Sequence, residues 1–232
     1  MKNKELSIII PAYLEEENLK IILPRLKDVL KTISDNCEIL VVDTIEPKDN
    51  TKKVCNDNEA IYVNRTGGND YGDAIRTGIK SVNGEYTIFM DADGSHDPEF
   101  VKVLYDNKEN QDVVVASRYI KGGNTENSKI LIFMSLIVNV IYSLVLGIKC
   151  NDISNSFKLY KTADLKDLKL NCNNFDVVEE IIFKLKKKKK ILKIKEIPFL
   201  FKKRMFGNTK RNLFLFMLSY IVTIIKLRFI KE

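Results

Sequence analysis

Tyr86-Thr87-Ile88-Phe89-Met90-Asp91-Ala92-Asp93 is the stretch that decides the fold. Its apolar run lacks polar alternation, so the strand it predicts is buried on both faces, as in a parallel sheet covered by helices. Two carboxylates follow at the carboxyl end of that strand, where open α/β sheets bind their ligands. The pattern repeats outward. Residues 6–11, 37–43, 60–63 and 112–117 read as further strands, and residues 18–33, 51–58 and 71–82 carry apolar residues at helical spacing. The class is α/β, a mostly parallel central sheet with helices on both faces. Asp43, Asp91 and Asp93 all fall at strand ends.

Bulk composition narrows the partners. The chain has 232 residues, enough to bury a sizeable single core, and its 45% hydrophobic and 30% charged content excludes a disordered or polytopic membrane protein. A net charge of +7 suits phosphates or an acidic membrane surface. No nucleic acid is expected, because aromatic residues do not interleave with the basic clusters. Four cysteines without CxxC spacing argue against a zinc site and fit a reducing cytosol. His96 is the only histidine, and Ser95-His96-Asp97 are adjacent, so they cannot fold back into a nucleophile–base–orienter chain. No apolar leader precedes the first strand, and the expected location is cytoplasmic.

Beyond Arg118 the character changes. Residues 130–148 carry no charge, and Ser135, Asn139, Ser143 and Gly147 recur every fourth position along one helical face. The run is long enough to span a bilayer, but the polar stripe favours a helix at the membrane interface over a span or an ordinary core helix. A second apolar run, residues 213–225, ends in Lys226, Arg228 and Lys231 and reads as an amphipathic anchor. Lys186–Lys190 is either a solvated turn before a strand at 191–201 or an attraction to anionic lipid, at roughly 1 kcal/mol per lysine near the surface.

Asp91 and Asp93 have the chemistry of a Mg2+ or Mn2+ site, since these ions take one or two protein carboxylates and leave places for substrate phosphates. The alternative is a polar turn before a helix beginning at Asp97-Pro98. In Pro11-Ala12-Tyr13-Leu14-Glu15, the ring can stack on a base and the carboxylate can accept its amide hydrogens; Asp43 can hold base or ribose. Arg118 follows the fifth strand, with Tyr119 and Gly122-Gly123 beyond it. Residues 202–210 gather Arg204 and Lys210 around Gly207, where guanidinium donors match phosphate and glycine permits close approach.

In this order the segments resemble glycosyltransferase family 2, and within it the dolichyl-phosphate mannose synthase group and its polyprenyl-phosphate relatives. The resemblance rests on Ser7-Ile8-Ile9-Ile10-Pro11-Ala12-Tyr13, Val41-Val42-Asp43, Gly72 through Gly78, Asp91-Ala92-Asp93 with Ser95-His96-Asp97-Pro98, and Ser117-Arg118-Tyr119. It extends to Asp152 with Ser154-Asn155-Ser156-Phe157, similar to an acceptor-side loop, and to Arg204-x-x-Gly207-x-Thr209-Lys210.

The resemblance implies a GT-A fold and inverting, metal-dependent transfer of a hexose from GDP-mannose or a UDP-sugar to a polyprenyl phosphate. Pro11, Ala12, Tyr13, Glu15 and Asp43 would bind the nucleotide; Asp91 and Asp93 the metal and diphosphate; Arg118, Arg204 and Lys210 the phosphates. Residues 1–118 would form the nucleotide-sugar half and 119–212 the acceptor half of one catalytic domain. Residues 213–232 would be a membrane-associating helix, placing the protein peripherally on the cytoplasmic face. Three departures stand out: Leu14 where the family has asparagine, Thr44 and Ile45 where it has aspartate and glycine, and Ser95 near a usual glutamine. A phosphate acceptor is already largely ionised and needs no general base. A saccharide or lipid hydroxyl acceptor, the alternative in capsule or cell-wall synthesis, needs one, and Asp152 is the candidate. Glu179 and Glu180 read as helix surface. A non-catalytic nucleotide-sugar-binding protein is the remaining alternative, and it need not keep both Asp91 and Asp93.

Overall fold

The computed structural model describes residues 4–207 and 222–228. Along the chain the elements are β1 (Lys4–Pro11), α1 (Glu16–Lys31), β2 (Cys37–Asp43), α2 (Thr51–Asp57), β3 (Ile61–Asn64), α3 (Tyr71–Ser81), β4 (Gly84–Phe89), α4 (Phe100–Asp106), β5 (Val113–Ser117), β6 (Asn124–Thr125), α5 (Lys129–Leu146), β7 (Lys158–Lys161), α6 (Thr162–Lys166), α7 (Val177–Lys188), β8 (Ile194–Pro198) and β9 (Leu200–Phe201). Seven strands form one sheet in the order β3-β2-β1-β4-β7-β5-β8. The ladders are parallel except at β7, which runs antiparallel between β4 and β5.

The missing polar alternation has the expected cause. In β1, Leu6, Ile8 and Ile10 pack with Leu19, Ile22, Leu23 and Leu26 of α1 on one face. Ile9 packs with Ala74, Ile75 and Ile79 of α3 on the other. Each strand residue therefore meets a helix whichever way it points.

Two strand expectations need correction. β7 is absent from the sequence reading because Lys158 and Lys161 break its apolar run, yet Lys158 is fully buried. Its ammonium is satisfied by the carbonyls of Ile153 and Asn155. The single strand expected at 191–201 is two: β8 ends at Pro198, which lacks an N–H for the ladder, and β9 pairs with β6 instead.

α5 begins at Ser128, whose hydroxyl accepts the Leu131 amide, and ends at Gly147 in the left-handed conformation. By length and composition it is the one helix among the described residues able to cross a membrane, with 22% of it buried. Its polar stripe points into the protein. Ser135 meets Ser154, the Asn139 carbonyl accepts the Ser154 amide, and Ser143 donates to the Ile148 carbonyl. Ile130, Phe133, Val140 and Leu144 lie on the exposed side.

The lysine run is largely engaged by the protein. Lys186 caps the carbonyls of Leu146 and Gly147, Lys188 bonds the Asp167 carbonyl, and Lys189 pairs with Asp112 and Asp164. Glu179 and Glu180 are buried rather than on the helix surface. Glu180 accepts the amides of Asn171 and Cys172 and pairs with Lys184, so it caps a turn. Of the expected C-terminal helix, residues 222–228 are helical, with Thr223 and Leu227 buried and Val222 and Ile225 exposed. The rest of 213–232 lies outside the described residues.

Candidate active site

β4 delivers Met90 to the core and releases the chain at Asp91, whose amide donates to Nδ1 of His96 at 2.9 Å. That contact puts the imidazole proton on Nε2, which faces Oδ1 of Asn155 at 3.2 Å. His96 is completely buried and stacked on Phe157, and burial holds its pKa below the usual 6.5 despite the nearby carboxylates. A neutral imidazole thus pins the Asp91 turn to the 151–157 loop. Oδ1 of Asp91 accepts from the hydroxyls of Tyr71 (3.3 Å) and Ser156 (3.2 Å).

Asp93 turns back on its own loop: Oδ1 accepts the Ser95 amide at 3.0 Å and hydroxyl at 2.6 Å. Burial raises its pKa, but the Ser95 bonds and the Arg204 guanidinium outweigh it, so the carboxyl sits below its ordinary range. Gly94, at φ +83°, makes the turn, and a Cβ there would press within 2.6 Å of the Met205 side chain. The close approach is needed because residues 202–207 dock here. The Lys202 amide donates to the Ser95 carbonyl and the Met205 amide to the Asp93 carbonyl.

Arg204 therefore lies between two carboxylates, 2.9 Å from Glu15 and 3.4 Å from Asp93. Glu15 also accepts the Asn18 amide group at 2.5 Å. Burial raises the Glu15 pKa more than Arg204 lowers it. A cation already stands beside Asp93, and the Asp91 and Asp93 side chains keep 17% and 19% of their surface exposed. Among the described residues no three acidic, histidine or cysteine side chains form a metal cage. Two reachable carboxylates without a cage fit Mg2+ or Mn2+, which complete their shells with water and substrate phosphates.

The other expected residues fall into two groups. Asp43 accepts the Thr44 amide (2.7 Å) and the Tyr62 hydroxyl (3.0 Å); burial and Asp43 push the Tyr62 pKa up to about 12. Beside it, Arg65 donates to the carbonyls of Ala12, Asn69 and Asp70, joining the Pro11-Ala12-Tyr13 exit to the start of α3. Tyr13 is 37% exposed just past the end of β1. Leu14 adopts φ +57°, a conformation that suits asparagine or glycine better.

Arg118 and Asp152 form the second group. The buried Asp152 carboxylate accepts the Arg118 amide (2.8 Å), Nε (2.8 Å) and an Nη (2.6 Å). That Nη also reaches Ser154 at 2.9 Å and Ser135 of α5 at 3.3 Å. Lys210 lies outside the described residues. Arg65, Tyr71, Ser135 and Ser156 were not singled out as site residues from sequence. Ser135, within the polar stripe, and Ser156, within the segment similar to an acceptor-side loop, carried a signal; Arg65 and Tyr71 carried none.

Residues 7–169 match the family described as Glycosyl transferase family 2. A dolichol-phosphate mannosyltransferase of Pyrococcus furiosus is 32% identical over 216 residues, 89% of this chain and 59% of that protein. The chain thus spans little more than half the length of that relative. An undecaprenyl-phosphate mannosyltransferase of Micrococcus luteus is 28% identical over 88% of this chain and 86% of its own. Among solved structures, glucosyl-3-phosphoglycerate synthase from Mycobacterium tuberculosis, in complex with Mn2+, UDP and phosphoglyceric acid, superposes with a TM-score of 0.74 at 16% identity. It covers 99% of this chain and 80% of that one. The same synthase has been crystallised with Mg2+ and UDP.

Proposed function

Because the chain belongs to glycosyltransferase family 2, we propose that it moves a hexose from a nucleoside-diphosphate sugar to a polyprenyl phosphate, with Mg2+ or Mn2+ held by Asp91 and Asp93. The observation that carries this reading is the orientation of α5. Its polar stripe reaches the buried Arg118 through Ser135, while its other face exposes Ile130, Phe133, Val140 and Leu144. A guanidinium at the foot of an apolar wall suits a ligand with a phosphate head and a hydrocarbon tail.

Donor and acceptor enter from different halves. Residues 1–118 hold the donor, with Tyr13 against the base, Asp43 toward base or ribose, and Pro11, Ala12 and Glu15 lining its approach. Residues 119–212 and Arg118 hold the acceptor. The bound metal ion would neutralise charge that develops on the departing diphosphate. Arg204, now balanced between Glu15 and Asp93, supplies donors to phosphate oxygens when these enter, and Lys210 adds a second cation. A phosphate oxygen attacks the anomeric carbon, the bond to the diphosphate breaks, and the configuration inverts. No proton moves, because the acceptor phosphate is already ionised near neutral pH. Asp152 is suited to positioning: its carboxylate is committed to Arg118.

The protein would lie peripherally on the cytoplasmic membrane face, with the exposed side of α5 toward lipid. Spanning by α5 would strip Ser135, Asn139 and Ser143 of their partners. Lys187, Lys190 and Lys226 are among the exposed cations that would face an anionic surface.

The test incubates GDP-mannose and UDP-sugars with Mn2+ or Mg2+ and a short polyprenyl phosphate, and measures released nucleoside diphosphate. Release that needs both metal and acceptor supports the proposal. Donor binding with no turnover on any acceptor would leave a nucleotide-sugar-binding protein instead.

A further inference from the structure

The described part of the C-terminal segment touches the catalytic domain at a place that leads to Asp91. Thr223 is 4% exposed, and its hydroxyl donates to the Asp176 carboxylate, itself 5% exposed. Four residues on, Leu227 enters the main core. Asp176 precedes α7 and accepts the Asn174 amide with its other oxygen, fixing the turn that carries Phe175. The Phe175 ring stacks on Tyr71 with centroids 4.0 Å apart and planes 22° from parallel. The Tyr71 hydroxyl donates to Oδ1 of Asp91.

The same turn is clamped from the α3 side. The Gly72 amide donates to the Asn173 carbonyl at 2.7 Å, and a Cβ on Gly72 would stand 2.1 Å from the Cys172 carbonyl. Arg76 reaches the Cys172 carbonyl and the Asn173 side chain. Segment 171–176 is therefore a wedge between the start of α3 and the helix at 222–228, and Tyr71 sits at its tip.

We propose that Thr223 is a positioning residue for the site: by holding Asp176 it seats Phe175 on Tyr71 and so sets the direction of the Asp91 carboxylate. The proposal rests on the reading of Asp91 as a metal and diphosphate ligand. It makes the C-terminal helix more than an anchor, because a displacement of that helix reaches Asp91 through four side chains.

The experiment uses full-length Thr223→Val, Thr223→Ser, Tyr71→Phe and the Val/Phe double variant. Amide hydrogen exchange on the metal-free protein reports the wedge directly. Thr223→Val should speed exchange at 171–176 and at the first turn of α3, and Thr223→Ser, which keeps the hydroxyl, should restore it. Mn2+ titration is the second readout. Tyr71→Phe should weaken Mn2+ by about tenfold, the low end for a partner of a metal ligand. Thr223→Val should weaken it by a similar or smaller factor, with nothing further lost in the double variant. A merely structural role would lower the melting temperature without this non-additivity. Unchanged exchange at α3 in Thr223→Val, or effects on Mn2+ that multiply, would overturn the proposal. If the wild type binds no Mn2+, the metal reading of Asp91 fails, and the exchange arm still decides whether Thr223 holds the wedge.

Discussion

Replacing Asp152 with asparagine removes one charge from a buried pair and leaves the shape nearly unchanged. The carboxylate is 0% exposed and accepts three N–H groups of Arg118, whose own side chain is 8% exposed. Asparagine offers one acceptor oxygen and turns an NH2 toward a guanidinium that is also all donor. Breaking one side of a buried pair costs about 3 kcal/mol even at the lower end. For a chain of this size each kcal/mol lowers the melting temperature by roughly 2–4 °C, so a drop of about 6–12 °C is expected. Catalysis should suffer less. With no proton to remove, turnover at a temperature where the variant is folded should stay within about tenfold of wild type, whereas loss of a general base costs about a hundredfold or more. Arg204→Ala should lose more turnover than Asp152→Asn, since it takes a phosphate partner from the site. Thermal melts and steady-state rates on the same preparations decide the matter. An Asp152→Asn enzyme that melts like wild type yet is a hundredfold slower would refute the clamp and restore Asp152 as a base for a hydroxyl acceptor.

Three further expectations are open to direct measurement. Asp93→Ala, or EDTA on the wild type, should cut turnover by about a hundredfold or more while the melting transition persists; full activity in either would overturn the metal assignment. Burial raises the Asp97 pKa, but hydrogen bonds and the charges of Lys202 and Arg25 bring it down to about 2 from 3.8. A depressed carboxyl stabilises the fold above its unfolded pKa and loses that contribution as pH falls through the folded one. Asp97→Asn should therefore melt below wild type at pH 7, with the gap closing between about pH 4 and pH 2; a gap independent of pH would refute this. Leu14, at φ +57° and 44% exposed, bears the cost of a left-handed backbone, about 1 kcal/mol. Leu14→Asn should raise the melting temperature, and a lower one would show that the leucine side chain has a packing role.

The fold was legible wherever burial on both faces erased alternation: β1, β2 and β4 stand within two residues of their expected bounds. β7 was not, because a buried lysine contradicts the apolar pattern, and only the tertiary placement of the Ile153 and Asn155 carbonyls makes it tolerable. Glu180 misled for the same reason, since the amides that satisfy it lie nine and eight residues back along the chain. At the site, Asp91, Asp93 and Arg118 were visible as charged residues at strand ends. Their mutual contacts were not: His96 and Ser156 stand in segments the sequence reading quoted, but that His96 from the same loop, Tyr71 of α3 and Ser156 all meet Asp91 is encoded by no spacing. The stripe of α5 was read correctly as one face, but its direction depended on which neighbours it would find. Ser154 and Arg118 turned it inward.

The central claim is that a lipid phosphate, rather than a hydroxyl, receives the sugar. It is tested most directly by offering the enzyme, with its preferred nucleotide-sugar and Mn2+, a short polyprenyl phosphate and the matching polyprenol in parallel, and weighing the products by mass spectrometry. The account predicts a hexosyl-phosphoryl-polyprenol from the first and no product from the second. Sugar appearing on the polyprenol or on an added saccharide, with the phosphate left untouched, would contradict it.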